Sequence, residues 1–193
     1  MTTPSLPPNL ARNSRLDRWV AIRPDGVVEI RTGKVEIGQK APVFQIKDAT
    51  GKVIDLAKLT DKGPVLVRLT CGCSGCDKEL AYFQKINEAY KDQGLQSLLI
   101  FKEPDAKMAK YAQDKKLNML YAVDPKGASW TVFQTKAMPA NFLIEKGGKI
   151  VSIATGCDPS GILANTVSQQ AAKTLGKKVV DVKKEVEETK SRK

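Results

Sequence analysis

Three cysteines fall within six residues of this chain, at Cys71, Cys73 and Cys76, and a fourth follows at Cys157. A structural disulfide framework would spread its cysteines to link distant segments, so this clustering indicates redox chemistry or a metal site instead. Residues 73–76, Cys-Ser-Gly-Cys, have the Cys-x-x-Cys spacing that can close a short disulfide and lower a thiol pKa from about 8.5 to between about 3.5 and 7.5. The spacing therefore favours thiol–disulfide exchange.

The composition argues against several other kinds of catalytic, metal and nucleic-acid-binding site. The 193 residues include no histidine, which excludes Ser–His and Cys–His nucleophile pairs and every His-ligated metal site within the chain. The formal net charge is +11, but lysine and arginine residues together are spread along the whole chain and no basic run is interleaved with aromatic residues. We therefore expect a solvated surface and no nucleic-acid partner.

The sequence on either side of the cysteines predicts a strand before them and a helix after them. Residues 65–70 form a nearly continuous apolar run, which predicts a strand buried on both faces. Apolar residues then recur at helical spacing from Asp77 to Tyr90. A strand that ends where a helix begins places Cys73 at the helix N-terminus, where the partial positive charge of the backbone favours thiolate over thiol. Cys76 would lie one turn further on, be more buried and resolve the mixed disulfide.

Strands and helices alternate through the rest of the chain. This order predicts an α/β fold with a central mixed sheet flanked by helices, closed by an antiparallel strand pair around Gly147-Gly148. Two hairpins precede the sheet, one at 19–31 and one at 43–56. The remaining predicted strands are 95–101, 119–123, 141–145 and 149–154, and the remaining helices are 105–116, 130–134 and 162–175.

Several motifs in order resemble the thioredoxin superfamily, and more closely its TlpA/ResA-type branch among the redoxins. Residues 37–44, Ile-Gly-Gln-Lys-Ala-Pro-Val-Phe, resemble the opening of that branch, and residues 137–144 resemble the segment that carries its cis-proline. The resemblance covers about residues 36–175. It implies a thioredoxin fold whose enzymatic activity is thiol–disulfide oxidoreduction, with no cofactor, protein thiol or disulfide substrates and a reductase or other electron donor as partner.

The resemblance also implies individual roles. Cys73 is the nucleophile and Cys76 the resolving thiol, and Glu79 handles protons near them; the alternative for Glu79 is a solvated helix glutamate. A cis bond before Pro139 would bring the backbone of Met138 close to the disulfide, where it could pair with an extended substrate. An ordinary turn proline is the alternative there.

Some residues depart from the family pattern. Thr70-Cys71-Gly72 replaces the tryptophan-rich segment that usually precedes the motif, and Arg68 lies near the position where thioredoxins proper carry a buried acid. Peroxiredoxins have a Thr-x-x-Cys motif that Thr70 and Cys73 would match, but Leu66 stands where their proline is expected. Peroxidase chemistry is therefore the less favoured enzymatic alternative, and a redox-inert binding module is the non-enzymatic one.

Cys71 and Cys157 are possible auxiliary thiols. Cys157 should lie in the loop after the last strand, where it could resolve a disulfide or be an inert small residue. Four converging thiols could also hold zinc or an iron–sulfur cluster, but Cys-x-Cys-x-x-Cys is not the paired Cys-x-x-Cys of a zinc ribbon, and we expect no metal. A stable bond between Cys71 and Cys73 is not expected, because Gly72 alone separates them and the disulfide would be strained.

The chain divides into a hairpin arm over residues 1–35, a thioredoxin-like domain over 36–175 and a charged tail over 176–193 that we expect to be a frayed helix or disordered. Residues 9–39 resemble the opening of molybdopterin-binding subunits of the xanthine dehydrogenase/aldehyde oxidase family, but are too short to build that cofactor site. We expect a monomer without a membrane span. No signal peptide is visible, so the expected location is cytoplasmic, or periplasmic or membrane-tethered if a signal has been removed.

Overall fold

The computed structural model describes residues 20–22, 28–30, 35–48 and 50–192. The chain divides into two compact units, residues 1–35 and residues 36–193. In the first unit, strands β1 (Val20–Ile22) and β2 (Val28–Ile30) pair antiparallel, which is the predicted N-terminal hairpin. The turn that joins these strands, and most of the molybdopterin-subunit-like segment, lie outside the described residues.

A five-stranded mixed sheet forms the centre of the second unit, in the order β7-β6-β5-β8-β9. The central strand β5 is parallel to β6 and antiparallel to β8, so it is hydrogen-bonded on both sides. All six residues of β5 are buried, as the apolar run predicts. The strands are β5 (Val65–Thr70), β6 (Gln96–Phe101), β7 (Leu120–Val123), β8 (Ala140–Ile144) and β9 (Ile150–Thr155).

Helices cover both faces of this sheet. One face packs against α2 (Ser74–Tyr90), α3 (Asp105–Asp114), α5 (Ile162–Leu175) and α6 (Val182–Ser191) through a single apolar cluster that includes Leu66, Phe83 and Leu143. Phe142 faces the other way, because successive strand residues alternate. It stacks on Phe133, just after α4 (Ala128–Val132), with ring centroids 4.8 Å apart.

A short segment before the sheet reaches strands at both of its edges. Gly38 donates to the carbonyl of Ile150 over 2.8 Å at the start of β9, and Asp48 forms an isolated bridge with Ala122 in β7. We call residues 38–48 the crossing segment. It contains β3 (Gln45–Lys47), which pairs antiparallel with β4 (Val53–Asp55) as the second predicted hairpin.

The C-terminal tail differs from its prediction. Residues 182–191 form α6, and Val182 and Val186 are only 0% and 4% exposed in the core cluster. Val180 is also held, by a 2.9 Å hydrogen bond from its backbone N–H to the hydroxyl of Tyr90. The prediction followed the many charged residues of the tail and overlooked two valines four residues apart, which give the helix an apolar stripe. Of the two expectations for the tail, a helix is the one observed, packed instead of frayed, and the compact unit continues past residue 175.

The sequence analysis also missed one helix. Residues Leu56–Lys62 form α1, which begins where the side chain of Asp55 caps the backbone N–H groups of Ala57 and Lys58. An aspartate before a helical segment is a recognised start signal, but β4 ends at the same residue and obscured it. Helix α2 also begins earlier than predicted, inside the cysteine motif at Ser74.

Candidate active site

The cysteines occupy the junction between β5 and α2. Cys73 is the N-cap of α2, with extended backbone angles of φ −86° and ψ 160°, and its carbonyl accepts from the N–H of Asp77 over 3.0 Å. The first backbone N–H groups of a helix lack helical partners and point towards its N-cap. This is the position for Cys73 that the strand-to-helix pattern predicts.

Three sulfur atoms are gathered at this junction. The Sγ of Cys71 lies 2.6 Å from that of Cys73 and 3.3 Å from that of Cys76, and all three lie within 4.8 Å of one another. Cys73 is exposed, Cys71 is half-buried and Cys76 is buried, and all three are free thiols. The exposed sulfur is therefore the one that a substrate can reach, and Cys76 lies more deeply, as the sequence analysis expected.

The local environment gives the thiols of Cys71 and Cys73 different pKa values. The thiol of Cys71, followed by the nearby backbone N–H of Cys76, the thiol of Cys76 and the backbone N–H of Gly75, lowers the pKa of Cys73 from 9.0 to about 7, although the Cys73 side chain makes no capping hydrogen bond. Burial raises the pKa of Cys71 to about 12, and the hydrogen bond to Cys73 adds to this rise. A proton therefore stays on Cys71 near neutral pH, where about half of the Cys73 thiol is ionised. The thiolate is the nucleophile in disulfide exchange, and of these two thiols Cys73 is the one whose environment favours the thiolate.

The same three sulfurs can be compared with a metal site. Zinc–thiolate bonds of about 2.3 Å in a tetrahedral site place neighbouring sulfurs about 3.8 Å apart. The separation of 2.6 Å between Cys71 and Cys73 is much shorter than this. All three sulfurs lie within 4.8 Å of one another, so a zinc ion would need Cys71 and Cys73 to move apart, whereas the 3.3 Å separation of Cys71 and Cys76 is closer to the expected spacing.

Glu79 lies beneath the cysteines in an ion pair. Its Oε2 is 2.7 Å from a guanidinium nitrogen of Arg68, and its Oε1 accepts from the backbone N–H of Asp158 over 2.8 Å. The carboxylate is fully buried, so the solvated alternative for Glu79 is wrong. Arg68 also donates to Asn141 over 2.8 Å and stacks on the Phe83 ring. The guanidinium thus joins β5 to β8 and α2.

The loop that carries Cys157 contacts this network. The thiol of Cys157 donates to the carbonyl of Gly75 over 3.2 Å, and the N–H of Gly156 donates to the carbonyl of Pro139 over 3.0 Å. The Met138–Pro139 peptide bond is cis, which is the conformation that the resemblance implies, and Met138 is exposed. Burial, and next the charge of Glu79, raise the pKa of Cys157. The loop over residues 156–161, which we call the closing loop, therefore contacts the start of α2 through Cys157 and Gly75.

Helix α3 completes the surroundings and was not predicted to take part. Asp77 accepts from the hydroxyl of Tyr111 over 2.8 Å and from Lys115 over 2.7 Å. Gly72 faces the same helix, since a Cβ there would be in ordinary van der Waals contact with the sulfur of Met108, at 3.4 Å. Tyr111 and Lys115 are four residues apart and therefore share a helix face, but the sequence does not indicate which helix that face meets.

Fold and site together define a thioredoxin-like redox protein, with an N-cap cysteine before a helix, a second cysteine one turn later and a neighbouring cis-proline. The chain belongs to the AhpC/TSA family, whose model matches residues 37–153, and within it to the TlpA/ResA type of the thioredoxin superfamily. It is a thiol–disulfide oxidoreductase.

Similar proteins agree with this assignment. A protein of Bacillus thuringiensis subsp. konkukian, named thiol-disulfide oxidoreductase ResA, is 30% identical over 124 residues, which are 64% of this chain and 72% of the relative. A ResA of Geobacillus thermodenitrificans is 28% identical over 63% of this chain and 71% of its own. The crystal structure of a thiol:disulfide interchange protein DsbE candidate from Chlorobium tepidum has a TM-score of 0.67 and 26% identity, covering 74% of this chain and all of the other.

Among the described residues, no helix combines the length and the apolar character needed to span a membrane.

Proposed function

We propose that the chain exchanges electrons with protein or small-molecule disulfides through Cys73 and Cys76. The observation that carries the proposal is the position of Cys73, an exposed N-cap thiol whose pKa is lowered to about 7. A thiol with a pKa near the ambient pH combines a large thiolate fraction with good nucleophilicity. Cys76 is the buried thiol one helical turn away that can complete the exchange.

The proposed reaction has two balanced steps. The Cys73 thiolate attacks one sulfur of the substrate disulfide, forming a mixed disulfide and releasing the other substrate sulfur as a thiolate. Cys76 then loses its proton and attacks the Cys73 sulfur, which closes the Cys73–Cys76 disulfide and releases the second substrate thiolate. Two electrons pass from the protein to the substrate, and a reductase or small dithiol returns them by the reverse steps.

We also propose that Met138 and Pro139 contact the substrate. Met138 is exposed, and the carbonyl of Pro139 is hydrogen-bonded to Gly156, next to Cys157. The backbone at Met138 leads directly into β8, and we propose that an extended peptide adds to it by strand-like hydrogen bonds. For Glu79 we propose a positioning role instead of direct proton transfer, because both of its carboxylate oxygens are engaged.

Reduction of insulin by the dithiol-reduced protein tests the proposal. Cys73→Ser should abolish the activity, and Cys76→Ser should accumulate mixed disulfides that mass spectrometry detects. Cys157→Ser is the matched control, since it also removes one thiol, and it should retain the activity. Full activity in Cys73→Ser would refute the assignment, and loss in Cys157→Ser would instead assign an electron relay to the closing loop.

A further inference from the structure

Cys71 has no counterpart in a two-cysteine exchange mechanism, yet it is the thiol nearest to the nucleophile. Its Sγ lies 2.6 Å from that of Cys73 and 3.3 Å from that of Cys76. We infer that Cys71 is a positioning residue for the proposed exchange reaction: its thiol donates a hydrogen bond to the Cys73 thiolate and so holds the nucleophile in its reactive form. This inference rests on the proposed role of Cys73 as nucleophile.

The first argument concerns the protons on these sulfurs. The thiol of Cys71 is the donor in a contact with the sulfur of Cys73, and its sulfur also lies beside that of Cys76. Two neighbouring thiolates would repel each other by their charges, whereas a thiol beside a thiolate replaces that repulsion with a charge-assisted hydrogen bond. In the reduced protein the pair is therefore most stable with one thiol as donor and one thiolate as acceptor.

The second argument decides which sulfur keeps the proton. Cys71 is half-buried at the end of the fully paired strand β5, whereas Cys73 is exposed at the N-cap of α2. Burial disfavours a charge on Cys71, and the backbone N–H groups at Gly75 and Cys76 favour one on Cys73. The shifts agree with this direction, since the pKa of Cys71 is raised to about 12 and that of Cys73 is lowered to about 7.

The third argument is that the other ionisable groups around the cysteines already have partners. None of these groups is a leading cause of the lowered pKa of Cys73. The leading causes that lower this pKa are contacts with Cys71, Cys76 and Gly75, and burial opposes them. The partnered groups are Arg68 with Glu79, Asp77 with Tyr111 and Lys115, Glu103 with Lys107, and the thiol of Cys157 with the carbonyl of Gly75.

The donor would act twice in the catalytic cycle. Before the reaction it stabilises the attacking thiolate of Cys73. In the return reaction, one thiol of a dithiol reductant attacks the Cys73 sulfur, which releases Cys76 and forms a mixed disulfide. The second thiol of the reductant then displaces Cys73, which leaves as a thiolate beside the Cys71 thiol. Cys71 keeps its proton in both steps and forms no bond to the substrate, so the electron balance remains that of the two-cysteine exchange.

Two substitutions distinguish whether Cys71 acts as a hydrogen-bond donor or as a third redox-active thiol. Cys71→Ser keeps a hydroxyl donor at the same position, whereas Cys71→Ala removes the donor, and both remove the redox-active sulfur. Iodoacetamide alkylation is measured against pH after reduction with a phosphine. The tryptic peptide 69–78 contains all three cysteines, so its fragment ions assign the label to Cys73.

We expect the Cys73 midpoint to lie near pH 7 in the unsubstituted protein and in Cys71→Ser. In Cys71→Ala it should rise by about one pH unit, with alkylation about tenfold slower at pH values below both midpoints. Equal midpoints in Cys71→Ala and the unsubstituted protein would overturn the inference, as would the same shift in both variants. A predominant Cys71–Cys73 bond in the oxidised protein would also overturn it.

This experiment is independent of the test of the proposed function. Alkylation reports the ionisation of Cys73 without any turnover, whereas insulin reduction by Cys73→Ser reports the exchange reaction. An inactive Cys73→Ser variant together with unchanged midpoints would reject the donor role alone. An active Cys73→Ser variant together with the expected shift would reject the exchange assignment alone.

Discussion

The guanidinium of Arg68 and the carboxylate of Glu79 lie 2.7 Å apart, with side chains only 2% and 0% exposed. Arg68 belongs to the central strand, and Glu79 lies one turn after Cys76 in α2. The remaining oxygen of Glu79 accepts from the N–H of Asp158, next to Cys157. One buried charge pair thus connects the sheet, the helix that has Cys73 at its N-cap and the loop that carries Cys157.

Removing one member of this pair should be costly. Arg68→Met leaves the Glu79 carboxylate buried without its partner, which typically costs about 3–5 kcal/mol of folding free energy. Urea denaturation measures the loss. The double variant Arg68→Met/Glu79→Leu should be clearly more stable than Arg68→Met alone, because no unpaired charge remains. A loss below about 1 kcal/mol in the single variant would contradict the buried pairing.

The thiols should react in a fixed order. Alkylation follows the thiolate fraction, so a Cys73 pKa of about 7 makes that residue about half reactive at pH 7, whereas burial raises the pKa of Cys157 and keeps it protonated. The Cys73 rate should fall about tenfold per pH unit well below its midpoint and become constant above it. Timed alkylation with peptide mapping checks both. Faster labelling of Cys157 at pH 7 would contradict this order.

The closing loop should tolerate no side chain at Gly161. This glycine has a φ of +79°, and a Cβ there would lie 2.7 Å from the ring of the buried Tyr82. Gly161→Ala therefore adds a steric overlap to the conformational penalty, whereas Gly176→Ala, at φ +64° in open space, has only the conformational penalty. Thermal denaturation should show Gly161→Ala to be the less stable variant. Equal stabilities would argue against the loop packing on Tyr82.

The tail helix should contribute to stability through its two buried valines. Val186→Ala removes buried methyl groups from the core cluster and should cost roughly 1–3 kcal/mol. Val179→Ala makes the same chemical change at a side chain that is 49% exposed, so it is the control and should change stability by less than about 0.5 kcal/mol. Urea denaturation of both proteins provides the comparison. Equal effects would mean that α6 is not packed as described.

The alternation of strands and helices from β5 to α5 and the position of Cys73 were predictable from the sequence, because both depend on local patterns. The apolar run of β5 and the 3.6-residue period of α2 meet at the cysteines, so Cys73 at a helix N-terminus followed without any tertiary information. The cis bond before Pro139 came from the resemblance and not from a local pattern. Its conformation is confirmed, whereas its contact with a substrate remains a proposal.

The partners of Glu79 could not be predicted, because they are distant in sequence. Arg68 was recognised as a departure from the thioredoxin pattern, but its contacts with Glu79 and Asn141 depend on how β5, β8 and α2 pack. The proximity of Cys71 to Cys73 depends on the backbone path through Gly72, which composition does not determine. The tail was misjudged because its charges outnumber the two valines that decide its packing.

The crossing segment has a consequence for how this molecule meets other copies of itself. Outer strands of a sheet carry free backbone donors and acceptors that can recruit a strand from another chain. Here Gly38 and Gln39 bond with Ile150 at the start of β9, and Asp48 bridges Ala122 on β7, so one stretch of chain occupies backbone groups at both ends of the sheet. An opening of residues 38–48 would therefore free the backbone groups of Ile150 and Ala122 for pairing with a strand of another chain.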